Sequence, residues 1–213
     1  MANPNAPHGF APLITAQSND FNAACHMYYI PSADVAAYYI GDAVKSYTQG
    51  ATAFGSTSTS DADAANIWGT FGIQRVQKTT GVDAERARGI IVSVFRNTSN
   101  LDSVFVPATK TQNYYVLVMD DPYIDMEIQG DNAAAFTTKL IGNNALYTVA
   151  APTGISPVSA TVLATATVAA TATFPLKIKG VSQRVNVSNG PFLPLVVGWN
   201  THELKGDTGS TPV

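Results

Sequence analysis

The chain has 213 residues, a formal net charge of -3 and a low share of charged side chains. Asp, Glu, Lys and Arg make up 13% of the residues, whereas soluble domains usually carry about 25%. The slightly acidic balance and the absence of a Lys/Arg run argue against nucleic acid as a partner, because such binding neutralises phosphates. The single cysteine, Cys25, excludes an intrachain disulfide framework and a thiolate zinc cluster.

The sequence also argues against a membrane partner. No run approaches the roughly 20 continuous apolar residues that span a bilayer. The opening MANPNAPHGFAPL has neither a basic region nor an apolar stretch, so we do not expect it to be a secretory signal. Together with the cysteine content, these features predict maturation in a reducing cytoplasm.

Residues 1–20 are predicted to form an extended N-terminal arm. They lack hydrophobic periodicity and contain three prolines, Pro4, Pro7 and Pro12. We expect an arm of this kind to become ordered only against a partner surface.

Strand signals recur at short spacing from Met27 onward. The segments are rich in aromatic and β-branched residues and are bounded by Gly, Pro, Asn or Asp, with a turn at Gly41 and Asp42. Residues 48–66, rich in Gly, Ser and Thr, are predicted to be a long surface loop. The predicted strands lie within 27–31, 35–47, 67–79, 88–97, 102–107, 113–122, 123–131, 174–187 and 192–204.

One short helix is predicted to interrupt the strands. Asp131 or Asn132 is a plausible N-cap, and Gly142 is a plausible residue to end it. Residues 160–174 alternate Ala, Thr and Val, and their β-branched side chains favour a strand.

The predicted fold class is therefore all-β, a mainly antiparallel barrel or sandwich with about eight to ten strands. One β-rich domain is expected over residues 21–205, since all-β units of this length can form a single domain. Residues 206–213 are predicted to be a loose C-terminal tail.

The densest titratable group comprises Asp120, Asp121, Asp125 and Glu127. Paired carboxylates can serve as acid and base in glycoside hydrolysis, or can bind Ca²⁺. We favour a structural interpretation, with a turn at 120–122 and the two later carboxylates on the solvent side of a strand. The EF-hand spacing that would favour calcium is missing.

Recognisable catalytic and cofactor motifs are also missing. G-x-S-x-G, the P-loop, the dinucleotide fingerprint and H-E-x-x-H do not occur. His8, His26 and His202 are scattered, and the adjacent Cys25 and His26 would point to opposite faces of a strand. We therefore predict a protein that is not an enzyme, with no catalytic residue, no metal ligand and no cofactor.

Three pairs of adjacent tyrosines occur, at 28–29, 38–39 and 114–115. Because consecutive strand residues face opposite sides, we expect one tyrosine of each pair in the core and the other at a face or subunit interface. Together with residues of the arm, the candidate partner-binding residues are Pro4, Pro7, Phe10, Leu13, Tyr28, Tyr38 and Tyr114.

Six segments carry a family resemblance. They are the opening MANPNAP, YYIPSADVAAYYIGDAV (28–44), RGIIVSVF (88–95), YYVLVMDDPYIDMEIQGD (114–131), FPLKIKGV (174–181) and VVGWNTHEL (197–204). Together they resemble small virion proteins of tailed bacteriophages that act as capsid decoration, or cement, proteins. The similarity covers most of the chain through diffuse strand patterns. The Ser/Thr/Asp-rich residues 55–65 and the Ala/Thr tract 160–173 depart from the shorter cement proteins.

The resemblance implies a virion structural protein that is made in the bacterial host cytoplasm and located on the capsid exterior. Its implied partners are the major capsid protein and further copies of itself, as a dimer or trimer. It would bridge neighbouring capsid subunits and stabilise the shell, with the arm as a principal contact. Low charge suits this role, because each buried unpaired charge costs several kcal/mol.

The residues themselves leave two alternatives open. One is a head-fibre or host-surface virion protein that binds carbohydrate through exposed tyrosines. The other is a hydrolase that uses carboxylates among residues 120–127.

Overall fold

A computed structural model of the chain describes residues 3–15, 25–47, 73–96, 104–132, 140–184, 187–206 and 209. Within these residues the regular structure consists of strands and one short 3-10 helix, Thr165–Thr167. The strands in chain order are β1 (Ala11–Thr15), β2 (His26–Ile30), β3 (Ala43–Ser46), β4 (Val76–Lys78), β5 (Gly89–Val94), β6 (Tyr114–Met119), β7 (Ile124–Gln129), β8 (Asn144–Ala145), β9 (Tyr147–Thr148), β10 (Val162–Leu163), β11 (Leu176–Val181) and β12 (Pro194–Trp199).

Two five-stranded antiparallel sheets organise the molecule. The first has the order β1-β7-β12-β11-β8 and the second has the order β2-β6-β5-β3-β4, while β9 and β10 pair separately. The second sheet curls until its edges meet at one point, where the Tyr29 N–H donates to the Gln74 carbonyl at 3.1 Å. A single bridge does not close a barrel, so the described strands confirm the all-β prediction in its sandwich-like form.

The two sheets enclose two separate cores. Between the sheets, Met126 and Ile128 of β7 belong to the same apolar cluster as Met119 of β6. Inside the curl of the second sheet, Val116 and Val118 of β6 belong to another cluster. Strand β6 serves both cores because successive side chains alternate between its two faces.

Residues 3–15, predicted to be part of a free arm, belong to the body of the protein. Strand β1 pairs antiparallel with β7 and forms the edge of the first sheet. Phe10 is 2% exposed, with its ring 5.1 Å from that of Tyr147 and 5.5 Å from that of Trp199. Removing such a buried ring typically costs about 3–5 kcal/mol. The expectation that these residues become ordered only against a partner is therefore wrong.

Two glycines allow residues 3–15, called the N-terminal segment below, to enter the core. Gly9 and Gly41 have φ values of +69° and +88°, and the Phe10 N–H donates to the Gly41 carbonyl at 2.9 Å. A Cβ on Gly9 would lie 2.6 Å from that carbonyl oxygen and 2.7 Å from the Cβ of Ser159. Only glycine combines this backbone conformation with so close an approach.

The Ala/Thr segment 160–174 differs from its prediction as a long strand. It forms the two-residue strand β10 and then the 3-10 helix. The Thr165 N–H and hydroxyl both donate to the Asp131 carboxylate, and the Thr167 hydroxyl donates to the Ala164 carbonyl at 2.7 Å. Local hydrogen bonds of this kind compete with a sheet ladder, which explains the difference.

Several predictions concern residues that the structure does not describe. The helix expected after Asp131 falls mostly on residues 133–139, and the loop expected at 48–66 also lies outside the described residues. Most of the expected tail, 206–213, lies outside them too. The expected strand at 102–107 shows one bridge, between Val106 and Tyr38.

Replacing Gly9 should destabilise the fold more than replacing a glycine that has a positive φ but no close neighbour. Gly9→Ala adds a clash to the cost of a positive φ, and we expect a loss of about 3 kcal/mol. Gly154 has a φ of +76° with nothing within 4 Å of an added Cβ, so Gly154→Ala should cost about 1 kcal/mol. Urea denaturation measures both, and equal losses would contradict the role given to the Gly9 contact.

Candidate functional site

Asp120 is the centre of a polar network where β6 ends. Asp120 is 6% exposed and lies just before a turn at 122–123. His26 Nδ1 lies 2.7 Å from Oδ1, and the Tyr28 hydroxyl donates to Oδ2 at 2.7 Å. Arg88 lies 3.7 Å from Oδ2 and donates through Nε to the Tyr28 hydroxyl at 2.8 Å. Both carboxylate oxygens are therefore engaged.

Arg88 connects this network to Glu203. The guanidinium lies 3.8 Å from Glu203 Oε2, and the carboxylate accepts the backbone N–H of Ser46 at 2.7 Å and its hydroxyl at 2.5 Å. Gln74 in turn donates to the Ser46 hydroxyl at 3.0 Å. Opposite charges alternate along the network, so each one lies beside a partner of opposite sign or a hydrogen-bond donor.

The His26–Asp120 pair has the geometry of part of a catalytic triad. A buried carboxylate holds an imidazole whose side chain is 73% exposed. In the described part of the chain, no hydrogen bond joins this imidazole to a serine, threonine or cysteine. Burial, followed by the charge of Asp120, raises the pKa of the neighbouring Cys25 thiol, which disfavours the nucleophilic thiolate. Burial raises the pKa of Tyr28 to about 12, so its hydroxyl stays protonated at neutral pH.

Glu127 is the centre of a second network, on the outer face of the first sheet. Its carboxylate forms an ion pair with Arg184, lies 3.1 Å from His8 Nε2, and accepts the Ser182 hydroxyl at 2.5 Å. Glu127 is 1% exposed, so the prediction that it faces solvent is wrong. The partners come from the N-terminal residues 3–15 and from the residues that follow β11, which together cover the carboxylate.

Residues 3–8 cross the outer face of the first sheet. Gln129 Nε2 donates to the Pro4 carbonyl at 2.9 Å. The amide of Asn3, itself 8% exposed, bonds to the loop at 188–191 through both its nitrogen and its oxygen. The N-terminal segment is therefore held at its start, its middle and at β1.

Two lysines hold the segment that leads into β3. Lys110 Nζ donates to the carbonyls of Asp34 and Ala36, and burial lowers the pKa of this lysine. Lys78 Nζ donates to the Ala37 carbonyl at 3.0 Å and lies 2.7 Å from the fully buried carboxylate of Asp42. Sequence reasoning missed these contacts because their partners are backbone carbonyls and distant residues.

Four of the seven predicted partner-binding residues lie in the cores. Their exposure does not exceed 5%, which leaves Pro4, Pro7 and Leu13 as the accessible members of the set. The expected sorting holds at 38–39 and 114–115, where only the first tyrosine is buried, but both tyrosines at 28–29 are buried. The core residues are Phe10, Tyr28, Tyr38 and Tyr114.

One face of the second sheet packs against the core between the two sheets. Beyond that core, the same face continues as an apolar strip on the surface. We define it as Met27, Phe95, Tyr115 and Leu117. Alternation places Tyr115 and Leu117 on the same face as the buried Met119, and Met27 lies directly opposite Leu117. Met27 is 44% and Phe95 is 41% exposed, while the other two are half-buried. The strip is therefore an uncharged surface on regular β-structure.

The described residues contain no group of three or more His, Cys, Asp or Glu side chains arranged to hold a metal ion. The same part of the chain has no helix long and apolar enough to cross a membrane. Comparison of the chain with protein-family models, curated proteins and solved structures gives no match. The apolar strip and the two carboxylate networks are therefore interpreted from their own geometry.

Removal of the Glu127 carboxylate should cost more stability than removal of Asp125, which lies two residues earlier on the same face. Glu127→Ala leaves Ser182 and Arg184 without their acceptor, and we expect a loss of about 2–3 kcal/mol. Asp125 pairs with a lysine whose side chain is 38% exposed, so Asp125→Ala should cost under about 1 kcal/mol. Urea denaturation tests the ranking, and the reverse order would contradict it.

His202 should make the protein less stable in acid. Burial lowers its pKa from 6.5 to about 4, so the unfolded chain takes up a proton first as the pH falls. The neutral, buried His202 contributes its full share to the unfolding free energy above the pKa of the unfolded chain. This share is lost as the pH falls towards the pKa of the folded protein, by about 3 kcal/mol in all.

His202→Gln, which does not titrate, provides the comparison. As the pH falls from neutral to the pKa of His202 in the folded protein, the unfolding free energy of the wild type should approach that of His202→Gln. Parallel pH profiles would contradict the assignment.

Proposed function

We propose that this chain is a capsid decoration protein of a tailed bacteriophage. It binds the outer surface of the phage head, bridges neighbouring major capsid subunits and stabilises the shell, without catalysing a reaction. The observation that carries this proposal is the apolar strip, and the resemblance of the strand segments to cement proteins points in the same direction.

The strip has the composition of a protein interface. Aromatic residues and methionine are enriched at the centres of interfaces, and charged residues are depleted there. The exposed Val82 and Ile155 lie in loops and Leu13 lies on the edge strand β1, whereas Met27 lies within β2 and Phe95 directly follows β5. A surface on paired strands loses little conformational entropy when a partner covers it.

The arrangement of the carboxylates supports a structural role over a hydrolytic one. Asp120 and Glu127 are buried, and each lies within hydrogen-bonding distance of two polar side chains. A glycosidase needs two carboxyl groups that face one substrate. These two instead form separate networks with separate partners.

The proposal moves the main capsid contact away from the N-terminal arm. Residues 3–15 are occupied within their own chain, so their removal should destabilise the protein itself. The partners remain the major capsid protein and further copies of this chain, as a dimer or trimer on the capsid exterior.

Polar substitution of the strip should weaken binding to phage heads. We expect the double variant Met27→Ser/Phe95→Ser to bind heads that lack the protein at least about tenfold more weakly than the wild type. Val82→Ser/Ile155→Ser is the matched control, since it also removes two exposed apolar side chains. Both variants should keep wild-type stability in urea, because all four side chains are exposed.

Co-sedimentation with heads measures the binding. Equal binding of the strip variant and the wild type would show that the strip is not the contact. If the wild type does not bind heads but binds carbohydrates on a glycan array, the head-fibre or host-surface alternative would be supported instead.

A further inference from the structure

The dipeptide Asn189-Gly190 lies in the loop that holds the start of the N-terminal segment. Asn189 is the only asparagine in the sequence that is followed by glycine. Its side chain is exposed, and an added Cβ on Gly190 would have nothing within 4 Å. Because glycine has no Cβ, the backbone nitrogen of residue 190 can reach Cγ of Asn189 without the hindrance that a larger residue would impose.

We propose that Asn189 is a site of spontaneous deamidation and isomerisation that releases the N-terminal segment. The Gly190 backbone nitrogen attacks Cγ of Asn189, forming an N–Cγ bond. The Cγ–Nδ2 bond breaks, and the side-chain nitrogen leaves as ammonia with the proton from the Gly190 amide. Water then opens the five-membered succinimide at either carbonyl. The products are aspartate and isoaspartate, and water is the only co-reactant.

Isoaspartate formation would act directly on the contacts of Asn3. The Asn3 amide donates to the Ser188 carbonyl at 2.7 Å and to the Pro191 carbonyl at 2.9 Å, and its oxygen accepts the Ser188 N–H at 3.0 Å. These two carbonyls lie on either side of the reactive dipeptide. In isoaspartate the main chain gains one carbon between them, so a single amide no longer reaches both.

The two residues that follow Pro191 have little freedom to absorb this change. Phe192 has a φ of +57°, which is rare for a residue that is not glycine, and its N–H lies 3.5 Å from the Asp131 carbonyl. Its neighbour Leu193 is 2% exposed and belongs to the core between the two sheets. Lengthening the chain at 189 therefore displaces the Asn3 contacts rather than the core.

Ageing of the intact, folded protein at mildly alkaline pH tests the proposal. We expect a mass gain of about 1 Da, located by peptide mapping at Asn189, with part of the product labelled by an isoaspartyl methyltransferase. Limited proteolysis should then cut within residues 3–8 in the aged protein and leave the fresh protein intact there. Asn3→Ala, which removes the contact directly, should be cut without ageing.

Two variants at the site separate the chemistry from its consequence. Asn189→Gln keeps an amide but would need a larger ring to react, so it should gain little mass and stay resistant to cleavage. Asn189→Asp supplies the charge without the extra main-chain carbon and should also resist cleavage.

Three outcomes would overturn the proposal. The modification is excluded if the aged wild type shows no mass gain, or shows it at another asparagine. Conversion at Asn189 without new cleavage in residues 3–8 would exclude release of the segment. Cleavage of fresh Asn189→Asp to the same extent as aged wild type would exclude the role of the inserted carbon.

Discussion

The burial of Phe10 is the interaction on which the rest of this structure depends. Its ring contacts those of Tyr147 and Trp199, so one aromatic side chain joins residues 3–15 to the core between the sheets. The close approach of Gly9 to Gly41 makes this position accessible. Once Phe10 is in place, β1 can extend the first sheet beside β7, and residues 3–8 are led across its outer face.

The few charged side chains of the chain include three buried carboxylates that hold the fold together. Asp42, Asp120 and Glu127 are all at most 6% exposed, and each carboxylate joins segments that are distant in sequence. Buried carboxylates need several donors, because an unpaired buried charge is costly. The apolar strip, in contrast, carries no charge. A surface of this kind is inexpensive to desolvate when a partner covers it.

Much of the β-structure was predictable because its signal is local. The predicted segments 88–97, 113–122 and 123–131 contain β5, β6 and β7, and the turn at Gly41 has the positive φ that its residue type suggests. The surfaces were less predictable. Adjacent residues in β2 and β6 are apolar on both faces, so the pattern alone could not tell which set is buried. As a result Tyr28 and Tyr114 were expected at an interface, whereas Met27 and Tyr115 lie in the apolar strip.

The sequence by itself determined that this chain forms antiparallel β-structure with few charges and no recognisable catalytic motif. These properties depend on composition and on the two-residue period of neighbouring side chains. Only the tertiary structure decided that residues 3–15 form part of the first sheet, that Glu127 is buried, and which face of the second sheet remains exposed. Those outcomes depend on contacts between segments that are distant in sequence, such as Asn3 with Ser188. No local pattern encodes them, because the partners meet only after the sheets have packed.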